Sequence, residues 1–227
     1  METSTQKPYQ PATLPDLLGG KPYMLLNHST LLYFHEQEQQ YVIFKVDNQQ
    51  RTYTAKDYLQ LPENAPFELI NNQLVFMPSP FNTHQRVAYK LTLKIGNYVE
   101  ANNLGEVFFA PADVHFSDDD IFQPDIYFVS IARKAIITEK YTYGSPDLTI
   151  EILSESTKKT DYQDKMEAYG KYEVIEYWIV DISEKCIEVY WNIDKKMELQ
   201  QKATVNDVIL SKAIAGFRLI VGDVFES

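Results

Sequence analysis

Three side chains stand where packing alone gives them no reason to be. Asp125 sits in Gln123-Pro124-Asp125-Ile126-Tyr127-Phe128-Val129, at the mouth of an apolar run. Glu151 interrupts Leu148-Thr149-Ile150-Glu151-Ile152-Leu153, which otherwise reads as a buried central strand, where a charge is costly unless it is paired or holds a metal. For either acid the bland alternative is a solvent-facing position on an alternating strand, or an arginine partner. Lys165 lies on a helix-patterned stretch from Asp161 whose apolar stripe is Tyr162, Met166 and Tyr169. A step of about 100° per residue puts it between Tyr169 and Tyr172 rather than on the water side. Its ammonium either snorkels out of the core or points at a partner, with Asp161 one turn earlier as the local competitor for the two acids.

Other familiar chemistries are missing. Gly19-Gly20 lacks the strand–loop–helix setting of a phosphate site, no Gly-x-Ser-x-Gly occurs, and His28, His35, His84 and His115 show no metal-ligand spacing. Cys186 is the single cysteine, so neither an internal disulfide nor a thiolate zinc site can form. With 227 residues, 44% of them hydrophobic and 23% charged, the chain has enough apolar material for one folded domain. A net charge of −11 works against diffuse attraction to nucleic acid, so any such contact must be local. No apolar run approaches the ~20 residues needed to cross a bilayer, and the polar, proline-punctuated start is unlike a secretory signal. No membrane partner is expected, and the expected compartment is the cytoplasm.

The elements that must position these residues follow from patterning. Breakers crowd residues 1 to about 30, predicting an irregular arm, and Leu31 to Val46 reads as a small hairpin. Thr54 to Leu61 suggests a short helix. Phe67-Glu68-Leu69-Ile70 and Gln73 to Met77 flank Asn71-Asn72, a pair suited to a two-residue hairpin turn. Val87, Ala88, Leu91, Ile95, Tyr98 and Val99 recur at helical spacing and predict an amphipathic helix over 83–101. Strands are expected near 106–110, 112–116, 124–129 and 147–153, a weaker helix near 130–137 and a further helix over 161–172. Later strands fall at Glu176 to Asp181, Cys186 to Ile193, 197–203 and Phe217 to Val221. The class is α+β, with a mixed central β-sheet flanked by helices and an N-terminal β-hairpin extension.

On the 83–101 helix, Arg86, Lys90 and Lys94 fall at i, i+4 and i+8, and Phe81 to Val99 contains no acid. That row is either a phosphate-tracking ridge or an ordinary solvated face. Arg133, Lys134, Lys140, Lys158 and Lys159 could extend it. His84 projects on the side of Val87 and Leu91, as a cleft residue or a hydrogen-bonded core histidine.

The sequence resembles the PD-(D/E)XK restriction-endonuclease-like nucleases, and within them the bacterial Uma-type family. The resemblance spans about residues 52 to 220. Its anchors are Phe67-Glu68-Leu69-Ile70 with Leu74-Val75, Pro78-Ser79-Pro80, His84, Gln123-Pro124-Asp125 and Gly144-Ser145-Pro146-Asp147-Leu148-Thr149-Ile150-Glu151-Ile152-Leu153-Ser154. Asp161, Lys165, Tyr169 and Glu176-Tyr177-Trp178-Ile179-Val180-Asp181 complete the set. It implies a restriction-endonuclease-like core over 51–227 behind a 1–50 extension, and Mg²⁺- or Mn²⁺-dependent hydrolysis of phosphodiester bonds in DNA. Carried over, Asp125 and Glu151 are the metal ligands, Lys165 replaces the motif lysine absent at Leu153, and Glu68 is a further acid for metal contact or orientation. Pro146-Asp147 competes for the Pro-Asp position, but shares one strand with Glu151 where the motif joins two, so Asp147 is kept with His84 and Asp161 as a cleft or supporting residue. Cutting both strands needs two sites, which a homodimer would supply. Two other classes stay open: a nuclease-fold module of weak or no activity that binds protein or nucleic acid, and a metal-free acid/base hydrolase using two carboxylates.

Overall fold

The computed structural model describes residues 23–35 and 40–225. The chain divides into two compact units, one of residues 1–51 with 60–65, the other of residues 52–59 with 66–227. In the first unit β1 (Tyr23–Asn27), β2 (Thr30–His35) and β3 (Gln40–Lys45) form an antiparallel sheet in that order. The expected hairpin therefore gains a third strand. Tyr23-Met24-Leu25-Leu26 supplies it, turning into β2 where the Asn27 side chain accepts the Ser29 amide (2.9 Å) and hydroxyl (3.0 Å). The density of prolines and glycines hid this short apolar run. The rest of the expected arm, residues 1–22, and the Glu/Gln turn at 36–39 lie outside the described residues.

The second unit begins with α1 (Ala55–Tyr58), whose first turn is closed by a reciprocal Thr54–Asp57 capping box. β4 (Phe67–Ile70) and β5 (Gln73–Phe76) pair antiparallel through Asn71 and Asn72, both at positive φ (48° and 62°) as the turn type demands. α2 (Asn82–Ala101) ends where Asn103 turns left-handed and the Leu104 amide reaches back to the Val99 carbonyl. Then come β6 (Gly105–Phe109), β7 (Val114–His115), β8 (Ile121–Phe122) and β9 (Ile126–Ser130), with a 3₁₀ turn at Ile131–Ile136 where a weak helix was expected. β10 (Thr142–Tyr143) and β11 (Leu148–Ile152) precede a helix built of α3 (Lys158–Thr160), a π-helical stretch Asp161–Lys165 and α4 (Met166–Lys171). The chain closes with β12 (Glu176–Asp181), β13 (Cys186–Ile193), β14 (Lys196–Thr204), β15 (Val208–Leu210), β16 (Arg218–Ile220) and α5 (Gly222–Phe225).

The main sheet runs β14-β13-β12-β11-β9-β6; β11 and β12 are parallel and the other neighbours antiparallel. A second sheet, β10-β7-β8-β4-β5, depends on strands of two residues that leave no alternation to read. One face of the main sheet (Ile126, Phe128, Leu148, Ile150, Ile152, Trp178 and Val180) packs against Val87, Leu91, Ile95 and Val99 of α2. Side chains alternate across a strand, so Thr149 and Glu151 point to the opposite face. There Tyr177 and Ile179 of β12 pack with Tyr169 of α4, Phe122 and Ile70. Glu151 is thus delivered into an apolar layer between the main sheet and the helix that carries Lys165.

Candidate active site

Strand register decides which acids meet. β9 and β11 pair Ile126 with Ile150 and Tyr127 with Thr149, so Asp125, just before β9, falls beside the Glu151-Ile152 end of β11. Its Oδ2 accepts the Ile152 amide at 2.7 Å and lies 3.1 Å from Nε2 of His84, which reaches down from the first turn of α2. Burial works against a charged His84, but the hydrogen bond and charge of Asp125, helped by the Ile152 backbone, win and raise its pKa.

Lys165 is fully buried. Its Nζ lies 2.9 Å from Oε1 of Glu151, 3.0 Å from Oε1 of Glu68 and 3.9 Å from Oδ1 of Asp161. Each glutamate Oε1 takes a second donor: the Tyr169 hydroxyl at 2.6 Å for Glu151, and the Gln123 amide at 2.6 Å for Glu68. Oε2 of Glu68 and Oδ1 of Asp161 are buried with no hydrogen-bond partner among the described residues. The π-helical stretch begins at Asp161, whose backbone carbonyl accepts the Tyr177 hydroxyl at 3.1 Å; such stretches concentrate at functional positions because they re-aim side chains.

The electrostatics follow from three carboxyl groups, Glu151, Glu68 and Asp161, gathered around one ammonium. Burial disfavours a charged Lys165, but Glu151, Glu68 and Asp161 more than compensate and hold its pKa well above the usual lysine value. Burial pushes Glu151 well above the carboxylate range; Lys165 pulls it back, while Asp161, Asp125 and Glu68 add to the rise. Asp161 is pushed up to about 6, again chiefly by burial and against Lys165. Burial and crowding thus favour the neutral carboxyl form at Glu151 and Asp161, against the pull of the one cation.

The residues fit a divalent cation in two respects. Their donors are all carboxylate oxygens, the ligands of a hard ion, and Glu68 presents a buried oxygen that has no hydrogen-bond partner among the described residues. Among the described residues no three His, Cys, Asp or Glu side chains stand in the arrangement of a ready-made cage. Mg²⁺ needs fewer, since it is commonly held by one or two carboxylates with water and substrate oxygens completing the shell.

Of the residues singled out by sequence, the structure brings together Asp125 with His84, and Glu151 with Lys165, Glu68 and Asp161. Asp147 is elsewhere. It precedes the opposite end of β11, accepting the Ser130 amide at 2.7 Å and lying 3.4 Å from Nε of Arg133, so it anchors the 3₁₀ turn. On α2, Arg86 is exposed, Lys90 is half-buried and Lys94 pairs with Asp223 at 2.7 Å. Lys134 pairs with Glu106, Lys158 with Asp181 and Arg133 with Asp147. Tyr169 stands in the sequence both on the apolar stripe and among the anchors of the resemblance, one turn after Lys165, but without an assigned role. The Gln123 contribution comes from a backbone amide and has no sequence signature.

A mixed sheet with the parallel β11–β12 pair, acids delivered from adjacent strands and a lysine supplied from the following helix define a restriction-endonuclease-like fold. The chain belongs to the Uma2 family, described as "putative restriction endonuclease", whose model matches residues 55–222. Among solved structures, the crystal structure of a "putative nuclease" from Anabaena variabilis is similar with a TM-score of 0.64 and 22% identity, over 76% of this chain and 97% of that one. Curated proteins give no match.

Proposed function

We propose that this chain hydrolyses phosphodiester bonds in DNA with the help of Mg²⁺ or Mn²⁺. The observation that carries the reading is the buried Lys165 ammonium shared by Glu68 and Glu151, with the Asp125 carboxylate held by the amide of Ile152, the residue after Glu151. Asp125 and Glu151 would hold the ion. When bound, it supplies activation of a water and neutralisation of charge on the phosphate oxygens.

The remaining work falls to the protein's own side chains. Lys165, kept protonated by its three carboxylate neighbours, offers a fixed positive charge that costs no reorganisation as negative charge builds on the phosphate. Glu68 orients Lys165, and the Gln123 amide in turn orients Glu68. His84 fixes the Asp125 carboxylate. Arg86 and Lys90, on the helix that carries His84, would meet backbone phosphates, whereas the acidic remainder of the chain favours local rather than diffuse contact.

The test is incubation of purified protein with supercoiled, linear and single-stranded DNA plus Mg²⁺ or Mn²⁺. Cleavage above that of an Asp125→Ala control supports the reading. Absence of cleavage on all three substrates overturns it, and metal binding without turnover would favour a module that keeps the fold but not the activity.

A further inference from the structure

We infer that Tyr169 is the positioning residue for Glu151: its hydroxyl and the Lys165 ammonium together occupy Oε1, which leaves Oε2 as the oxygen free for a divalent cation. The inference rests on the functional reading above. Three observations carry it. The Tyr169 hydroxyl donates to Oε1 of Glu151 at 2.6 Å, the short distance of a hydrogen bond to a carboxylate, and Lys165 donates to the same atom at 2.9 Å. Neither donor reaches Oε2, and no other hydrogen bond to Glu151 is present among the described residues. The tyrosine ring cannot swing away, because it is fully buried and wedged edge-on against Tyr177 (4.8 Å between centroids) and Phe122 (5.7 Å).

A carboxylate on a glutamate side chain has three torsions to settle, and Lys165 alone does not settle them, because its ammonium is shared with Glu68 and can follow either acid. A hydroxyl on a locked ring can. Two donors converging on one oxygen fix both the rotation of the carboxylate plane and which oxygen faces the metal. Groups that hold a metal ligand from behind in this way commonly set affinity as well as rate.

The experiment compares Tyr169→Phe with Tyr127→Phe by Mn²⁺ titration calorimetry and by cleavage kinetics. Both substitutions keep a buried ring and delete one buried hydroxyl; that of Tyr127 bonds to Thr142 at 3.0 Å. The expected result is that Tyr169→Phe weakens Mn²⁺ binding about tenfold or more and lowers kcat more than it raises KM, while Tyr127→Phe leaves Mn²⁺ affinity within about twofold of wild type. If the two variants lose thermal stability alike and keep wild-type Mn²⁺ affinity, the hydroxyl is structural only and the inference fails. If the wild-type chain itself binds no Mn²⁺ and cuts no DNA, the functional reading fails first and takes this inference with it. Should Tyr169→Phe not fold, a wild-type crystal grown with Mn²⁺ decides: the hydroxyl must remain on the Glu151 oxygen that faces away from the ion, and finding it on the ion-facing oxygen or turned elsewhere overturns the assignment.

Discussion

His84 and Asp125 are joined through a single carboxylate oxygen: Oδ2 lies 3.1 Å from Nε2 of His84 and also accepts the Ile152 amide at 2.7 Å. One atom thereby ties the first turn of α2 to the end of β11. The histidine's pKa is raised in the folded chain, so its contribution to stability is fully present below the ordinary histidine value and is lost as pH climbs through the raised one. Urea unfolding of wild type and His84→Ala should therefore differ more at about pH 5.5 than at about pH 8.5, with the larger gap on the order of 1.5–3 kcal/mol. Equal gaps at both values would show that the histidine is not charged by Asp125.

Replacing Lys165 with Met should be severe. It leaves Glu68, Glu151 and Asp161 buried without a cation, a change that typically costs about 3–5 kcal/mol. Added Mg²⁺ should then raise the melting temperature of the variant more than that of wild type, because the ion replaces the lost positive charge among the acids. Differential scanning calorimetry with and without Mg²⁺ reads this, and an identical shift in both chains would contradict it.

Arg86 should matter to DNA where Lys94 does not. Losing a phosphate contact lowers the slope of log affinity against log salt by about 0.9 for duplex DNA. Arg86→Ala should flatten that slope in fluorescence anisotropy titrations. Lys94→Ala, which breaks only a half-exposed ion pair with Asp223, should leave it unchanged and cost less than about 1 kcal/mol of stability. A flattened slope for Lys94→Ala would return that residue to the phosphate-binding ridge.

Cys186 offers a test of packing away from the site. It is buried and unpaired, and burial raises its thiol above the ordinary value. Thiol titration of the native chain should be slow and become stoichiometric in denaturant; rapid reaction of the folded protein would mean that the start of β13 is open.

Much of this arrangement was legible in the sequence because it follows from period and from cost. A glutamate inside Leu148–Ile152 and a lysine on the apolar arc near Tyr169 are locally unfavourable, and local conflict marks function. Asn71-Asn72 announced its turn chemistry, and the spacing of Val87, Leu91, Ile95 and Val99 placed α2. Other features had no such trace. Strands of two residues such as β7, β8 and β10 exist only through tertiary pairing. The fate of Lys94 was set by Asp223, which lies 129 residues away along the chain. Sharing a strand with Glu151 makes Asp147 a candidate supporting acid, yet it stands at the far end of β11, where Ser130 and Arg133 use it. The second donor to each glutamate came from a tyrosine on an apolar stripe and from a main-chain amide, neither of which a residue-type argument selects.

The most direct measurement is an anomalous-scattering map from a wild-type crystal soaked in Mn²⁺. The expected result is a peak within coordination distance of the Asp125 and Glu151 carboxylates, with Lys165 still paired to Glu68. A map with no peak there, or with manganese bound only elsewhere on the chain, would contradict the assignment of these acids as a metal site.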